Sequence, residues 1–278
     1  MKKFVFLFWF LCGLCFEEFE KICLRKSFLL HFQPMTEAKV QTTNDPIIDA
    51  LFGAGAHFGY RRSKRHPTAA PFIFGVKSGV EIFDLEKTKS SLEKAEEFVK
   101  NLSTSGKVLL FVGGKNEARE AVKSGAARLA MPVVSGRWIG GSLTNFANIR
   151  ARIDKMLDLI SKREKGELIK YTKKERLLID REVLKLQEMF GGLVPLKGMP
   201  GAMFVVDPGK ESIAVTEAKK EGVPVIALAS SDCDLSKVDY VIPGNDASRA
   251  SIAFFVNKIV EAYESGLAGK EAPKSSVI

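Results

Sequence analysis

The stretch KVLLFVGG, residues 107–114, decides the fold class. Behind one lysine it is a continuous apolar run, the pattern of a strand buried on both faces of a parallel sheet. Gly113 and Gly114 end the run, and residues 117–130 carry helical spacing. The same order recurs further on. Residues 203–206 read as a short buried strand, and 211–221 as a helix stopped by Gly222. Residues 223–228 and 240–242 are two more strands, and 247–265 form a closing helix that ends at Gly266. Strands alternating with helices imply crossover units and a parallel sheet covered on both sides.

Upstream, Leu85, Leu92, Ala95, Phe98, Val99 and Leu102 trace one face of a helix over 85–102. Residues 72–74 and 80–83 read as short strands flanking a turn at Ser78-Gly79. A short helix over 45–56 has Pro46 in its first turn and Asp45 or Asn44 as its cap. Between the two halves of the α/β pattern the character changes. Phe146, Ile149, Ile153, Met156 and Ile160 step by three and four, as do Ile179, Val183, Leu186 and Phe190. A polar, lysine-rich stretch with Gly166 separates them, so residues 146–190 read as an inserted helical hairpin with a coiled-coil seam. Its outer surface is charged and includes Arg150, Arg152, Lys173 and Lys174. Two readings stand for that surface: a solvated coiled coil, or a projection that reaches into folded RNA.

The first 34 residues do not match the rest. Two lysines precede the apolar run FVFLFWFLCGLCF (4–16), which resembles a signal peptide but lacks a small-x-small cleavage site and is short for a membrane span. The polar stretch that opens at Met35 is an ordinary start for a soluble domain, so residues 1–34 are read as a spurious or disordered extension. Secretion and a genuine cytoplasmic extension are the alternatives. The extension holds five cations against three glutamates, so the body keeps +7 of the chain's net charge of +9. A basic excess favours polyanionic partners. Three of the four cysteines lie before residue 24, leaving Cys233 alone in the body and no disulfide to form within it, as suits a reducing cytoplasm. Cys12 and Cys15 have no second pair at zinc spacing.

The most lopsided stretch is 50–80, which contains no Asp or Glu. It carries Arg61, Arg62, Lys64, Arg65 and Lys77, interleaved with Phe58, Tyr60 and Phe72. Closely spaced cations without carboxylates attract phosphates and release counterions, and arginines fork onto phosphate oxygens or stack on bases. The bland alternative is a basic loop with no partner. His57, between Ala56 and Phe58, reads as a packed or capping residue. Gly53 to Gly59 has dinucleotide-like glycines but no strand leading into it. Val112-Gly113-Gly114-Lys115 lies between strand and helix but lacks the spacing and hydroxyl of a phosphate loop, so a plain turn explains it. Asp232 and Asp234 read as turn residues. No Ser/His/Asp, HExxH or paired-carboxylate pattern stands out, which argues against an enzyme. Neither a cofactor nor a metal is expected.

The chain resembles the small-subunit ribosomal protein two family (universal S-two, bacterial type). The resemblance rests on LFGAGAHFG (51–59), PFIFG (71–75), IFDLEKT (82–88), RWIGGSLTN (137–145) and TKKE (172–175). GGL (191–193), MPGAMFVVD (199–207), EAKKEGVPVIAL (217–228) and VDYVIPGNDASRA (238–250) follow in family order. It implies a flavodoxin-like parallel sheet with helices on both faces and an inserted helical coiled-coil hairpin. It agrees with the organisation read from the residues, with domains at 35–145 and 191–266 (α/β body) and 146–190 (hairpin), and 267–278 as a flexible tail. It also implies a non-enzymatic constituent of the small ribosomal subunit in the cytoplasm, away from membranes. Its partners would be small-subunit ribosomal RNA and other small-subunit proteins, including the mRNA-binding protein one. The RNA-binding candidates are then Arg61, Arg62, Lys64, Arg65, Lys77, Arg150, Arg152, Lys173 and Lys174. Trp138 is open between base stacking and the core.

Two segments depart from the family pattern. Where the family commonly has Trp-Asn-Pro-Lys-Met, this chain has Arg65-His66-Pro67-Thr68-Ala69. Where it has Thr-Asn-Cys-Asp-Pro, this chain has Ser231-Asp232-Cys233-Asp234-Leu235. The competing classes are an α/β enzyme with a phosphate-bearing ligand near Gly113-Gly114, and an adhesive protein displayed through the N-terminal segment.

Overall fold

The computed structural model of the chain describes residues 45–271. They open with helix α1 (Pro46–Gly53), where Pro46 occupies a position that needs no N–H. Asp45 does not cap it with its side chain; its carboxylate accepts from Lys89 Nζ at 2.9 Å instead. Strand β1 (Phe58–Arg61), 3₁₀ turns at Arg62–Lys64 and Pro67–Phe72, and strands β2 (Ile73–Lys77) and β3 (Val80–Phe83) follow. Ser78 and Gly79 close the β2–β3 hairpin with φ of 52° and 79°. Two consecutive left-handed residues give the tight turn that suits strand twist, and glycine makes the second one cheap. Then come α2 (Leu85–Thr104), β4 (Leu109–Val112), α3 (Asn116–Leu129), β5 (Val133–Val134), α4 (Phe146–Glu164) and α5 (Lys173–Phe190). The chain continues through β6 (Ala202–Val206), α6 (Ser212–Lys220), β7 (Val225–Ala229), β8 (Tyr240–Pro243) and α7 (Arg249–Glu271).

The large sheet is parallel throughout and ordered β5-β4-β6-β7-β8. Numbered from β4, that is the flavodoxin-like order 2-1-3-4-5. Every residue of β4, β6 and β7 is buried. Successive side chains leave a strand on opposite faces, so an all-apolar strand feeds two cores at once. Leu109, Phe111, Phe204 and Ile226 pack with α2, α3 and α7. Leu110, Val112, Met203 and Val205 pack with α4, α5 and α6.

The structure overturns several expectations. Residues 58–61, where the pattern predicts no strand, form an edge strand of a separate antiparallel sheet, β1-β3-β2. Phe-Gly-Tyr-Arg lacks the alternation that marks a strand, so only pairing with β3 defines it. The helical pair is not zipped on itself alone. Ile149, Ile153 and Met156 of α4 and Leu186 and Phe190 of α5 join the sheet's second core. Ion pairs Lys155–Glu182 (2.6 Å) and Arg163–Asp180 (3.8 Å) link the two helices on their outer side.

Helix α7 does not stop at Gly266 but runs on to Glu271, through the first residues of the expected flexible tail. A Cβ at Gly266 would stand 2.7 Å from Lys100 O and 2.8 Å from Ser103 Cβ. The glycine marks a close approach of α7 to α2, not a helix end. Gly125 does the same for α3, where a Cβ would meet Val256 of α7 at 2.6 Å. The extension 1–34 and the start near Met35 lie outside the described residues, as does the tail beyond 271. Among the described residues, no helix is long and apolar enough to cross a membrane.

Candidate nucleic-acid interface

Strand pairing assembles the basic surface. Arg61 of β1 lies opposite Val80 of β3, and so does Lys77 of β2. Residues opposed in antiparallel strands share a face, and neighbouring strands are about 4.8 Å apart, so the Arg61 and Lys77 backbones stand about 10 Å apart across Val80. Phe58 and Gly75 pair with Ile82 on the same face, and a register shift between Phe58 and Arg61 brings both to that side. The face is thus an apolar centre of Phe58, Val80 and Ile82 edged by Arg61 and Lys77, with Phe58 and both cations exposed. Arg62 and Lys64 project from the next turn, also exposed. Among the described residues, none of these four cations makes an ion pair; Lys64 lies 5.8 Å from the centre of the Tyr60 ring.

Arg65 is different. It turns inward, with Nε 3.6 Å from a carboxylate oxygen of Glu81, whose side chain is fully buried. The base of the loop is pinned by the 231–235 segment. Ser231 Oγ accepts from Tyr60 N at 3.0 Å, and Ser231 O accepts from His66 N at 2.8 Å. Thr68 Oγ1 accepts from Leu235 N at 3.1 Å, and Ala69 packs with Cys233 and Leu235. These are the two segments in which the chain departs from the resembled pattern, and they are bound to each other. Asp234 caps the turn Leu235–Lys237 by accepting from Ser236, which holds its carboxyl down at about 2. Burial pushes the Cys233 thiol well above its ordinary value. His57 is stacked between Phe52 and Phe58, with ring centres at 4.6 and 4.0 Å, and burial lowers its pKa. It is a packing residue.

The helical pair supplies the second set of cations. Lys173 and Lys174 are exposed in the first turn of α5 and, among the described residues, unpaired. That turn is set by a capping box: Thr172 accepts from Glu175 N at 3.4 Å, and the Glu175 carboxylate accepts from Thr172 N at 2.9 Å. The signal was present in the spacing T-x-x-E. Arg152 is exposed on α4 and borders a crevice of about 580 Å³ with Ile139, Gly140, Asn145 and Asn148. Arg150 is not available in this way. Its guanidinium donates to Val194 O and Leu196 O, both at 3.3 Å, and pairs with Asp154 at 3.1 Å. It staples α4 to the segment after α5.

Trp138 belongs to the core. It is nearly buried, and its Nε1 donates to Glu217 at 3.4 Å. Glu217 also accepts from Gly141 N at 2.7 Å and Leu143 N at 3.1 Å, so one buried carboxylate of α6 braces the loop 138–143. Nothing in the spacing around Glu217 announces that role.

The remaining place to test is the crevice beyond the carboxyl ends of β4 and β6, where flavodoxin-like sheets bind ligands. This chain fills it with its own side chains. A Cβ at Gly114 would overlap the Glu211 carboxylate, and that carboxylate accepts from the Gly114 backbone. Lys115 Nζ donates to Asp246 at 2.7 Å, lies 2.9 Å from Asp207 and is 3.2 Å from Tyr60 OH. Burial opposes the Lys115 charge, but the two carboxylates outweigh it and raise its pKa above the ordinary lysine value. Burial also opposes ionisation of Asp207, yet Lys115 holds it below the usual carboxylate range. Asp246, more deeply buried and facing Asp207, is raised. A glycine turn lined by carboxylates repels phosphate, so the phosphate-ligand alternative finds neither room nor charge here.

Comparison with known proteins follows the same line. The family model described as Ribosomal protein S2 matches residues 51–266. The small ribosomal subunit protein uS2 of Roseiflexus sp. (strain RS-1) is 41% identical over 228 residues, which cover 82% of this chain and 87% of the relative. The protein of that name from Chloroflexus aurantiacus (strain ATCC 29366 / DSM 635 / J-10-fl) is 39% identical over 81% of this chain and 94% of its own length. That of Bdellovibrio bacteriovorus is 42% identical over 78% of this chain and 69% of the relative.

Proposed function

Since this chain belongs to the ribosomal protein S2 family, we propose that it joins the small ribosomal subunit by binding ribosomal RNA through the face built from Arg61, Arg62, Lys64 and Lys77. As a member of that family it is a structural ribosomal protein and not an enzyme, and its place is the cytoplasmic ribosome. One observation carries the RNA reading. Four cations gathered from two strands and a turn stand exposed around an apolar centre, with no ion pair among the described residues. Exposed unpaired cations release counterions when they meet phosphates, and Phe58 offers a surface for an unstacked base. Arg152, Lys173 and Lys174 form the second contact. Arg65 and Arg150 drop out of the set of direct ligands, because each is committed to a partner inside the protein.

In this reading residues 35–145 and 191–266 are the body that sets these surfaces, and the helical pair at 146–190 extends it. Recruitment of the mRNA-binding protein one is included on family membership alone. Sucrose-gradient sedimentation of cell extracts tests the central point. The protein should co-migrate with the small subunit at low salt and leave it at high salt. A variant with Arg61→Glu and Arg62→Glu should stay folded and remain at the top of the gradient. Normal incorporation of that variant would remove this face from the assignment.

A further inference from the structure

We infer that Glu81, an acid set under the basic face, is a positioning residue for RNA binding: it holds Arg65 inward and so fixes where Arg62 and Lys64 project. The inference rests on the RNA reading above. The side chain of Glu81 is wholly inaccessible, and neither carboxylate oxygen has a hydrogen-bond donor among the described residues. Its neighbouring cation is Arg65, with Nε at 3.6 Å. Burying a carboxylate is costly unless a cation stays beside it, so swinging Arg65 out to a phosphate would cost Glu81 its neighbouring cation.

The backbone makes that tether matter. Arg65 N donates to Arg62 O at 3.2 Å and closes the turn that carries Arg62, Ser63 and Lys64. Arg62 N donates to Gly79 O at 3.2 Å, while Tyr60 and His66 are both pinned on Ser231. The backbone is therefore held on either side of the turn, and, among the described residues, Arg65 is the one side chain of residues 61–65 tied by an ion pair, to the central strand of the small sheet. Releasing it lets the turn, and the two cations on it, lose their fixed direction.

This reading makes a prediction opposite to simple charge counting. Glu81→Gln raises the net charge by one, so long-range electrostatics alone would tighten binding to RNA. Loss of the tether instead weakens it. The test measures affinity of the full-length protein for small-subunit ribosomal RNA over a range of salt, for the natural protein, E81Q, R65Q and the pair R61Q/R62Q. E81Q and R65Q should each weaken binding roughly five- to tenfold, the scale of a displaced charge-assisted contact. The salt slope should stay unchanged in both, because no phosphate-neutralising group has been removed. R61Q/R62Q should lower the slope by about 0.7–0.9 per cation removed.

Equal or tighter binding by E81Q overturns the inference, and so does a slope in R65Q reduced like that of a direct ligand. An unchanged slope in R61Q/R62Q would instead sink the RNA face itself. If E81Q folds too weakly to assay, Arg65→Lys decides. Lysine keeps the charge but has no nitrogen at the Nε position that approaches Glu81, so affinity should drop at unchanged slope; binding as in the natural protein would reject the tether.

Discussion

Lys64 and Lys115 flank the same aromatic ring and have opposite fates. Lys64 lies 5.8 Å from the centre of the Tyr60 ring on the open side, and Lys115 lies 5.6 Å from it on the buried side. Lys64 has no carboxylate partner among the described residues and faces water. Lys115 is held between Asp207 and Asp246, delivered from the ends of β6 and β8. The side chains are identical, and both follow short glycine-containing segments. What separates a surface cation from an internal fastener is the set of acids that folding brings alongside it. The buried cluster also joins the two sheets, since Tyr60 of the small antiparallel sheet touches Lys115 beyond the carboxyl end of β4 in the large one.

Breaking the buried side of this comparison should have the largest effect. Lys115→Met leaves two carboxylates buried without their cation, and the expected loss is about 3–5 kcal/mol, read from urea denaturation midpoints. Adding Asp207→Asn and Asp246→Asn should restore most of it; a triple variant as unstable as the single one would show that Lys115 acts by packing and not by charge. The pH dependence follows from the raised pKa of Lys115. Its contribution is fully present below the ordinary lysine value of about 10.4 and declines as the pH rises beyond it, because the unfolded chain loses the proton first.

The exposed side should behave in the contrary way. Arg61→Gln with Arg62→Gln should move stability by no more than about 0.5 kcal/mol, as for surface positions in general, while RNA affinity and its salt slope both fall. A large stability change in this variant would mean that these cations, like Lys115, have internal partners. The smallest effect belongs to His57, which lies between Phe52 and Phe58 next to this face. Burial lowers its pKa, so the unfolded chain takes up a proton that the folded one resists. Stability should therefore decline as pH falls through about 6.5. Asp246 and Glu211, both raised by burial, act in the opposite sense, so the quantity to measure is the difference in pH slope between the natural protein and His57→Phe. Identical slopes would remove His57 as a titrating contributor.

Much of the large sheet was legible because of how it is buried. A strand covered on both faces has no polar side to show, so β4, β6 and β7 stand out as unbroken apolar runs. The small sheet was only half legible. Its hairpin is announced by Ser78-Gly79, whereas β1 is a strand only because β3 is there to pair with it. Val133–Val134, at the far edge of the large sheet, is too short to leave a pattern. Gly266 reads as a stop in sequence and is not one, because a glycine that breaks a helix and a glycine that lets two helices touch look the same in one dimension.

The basic face follows the same division. That residues 50–80 hold cations and no acids is a property of the chain alone, and it pointed to Arg61, Arg62, Lys64 and Lys77, which the structure leaves exposed and unpaired among the described residues. Arg65 and Arg150 carry the same charge as Lys64 and Arg152, which lie beside them in sequence. They differ only because Glu81, and the carbonyls of Val194 and Leu196, reach them through the fold. By itself the sequence determined the alternation of strands and helices, the net charge and where the cations cluster, since each of these depends on order and composition. The tertiary structure decided the fates of Arg65, Lys115 and Arg150, because pairing is a short-range interaction and Glu81, the carboxylates of Asp207 and Asp246, and the carbonyls of Val194 and Leu196 are brought alongside them by the fold.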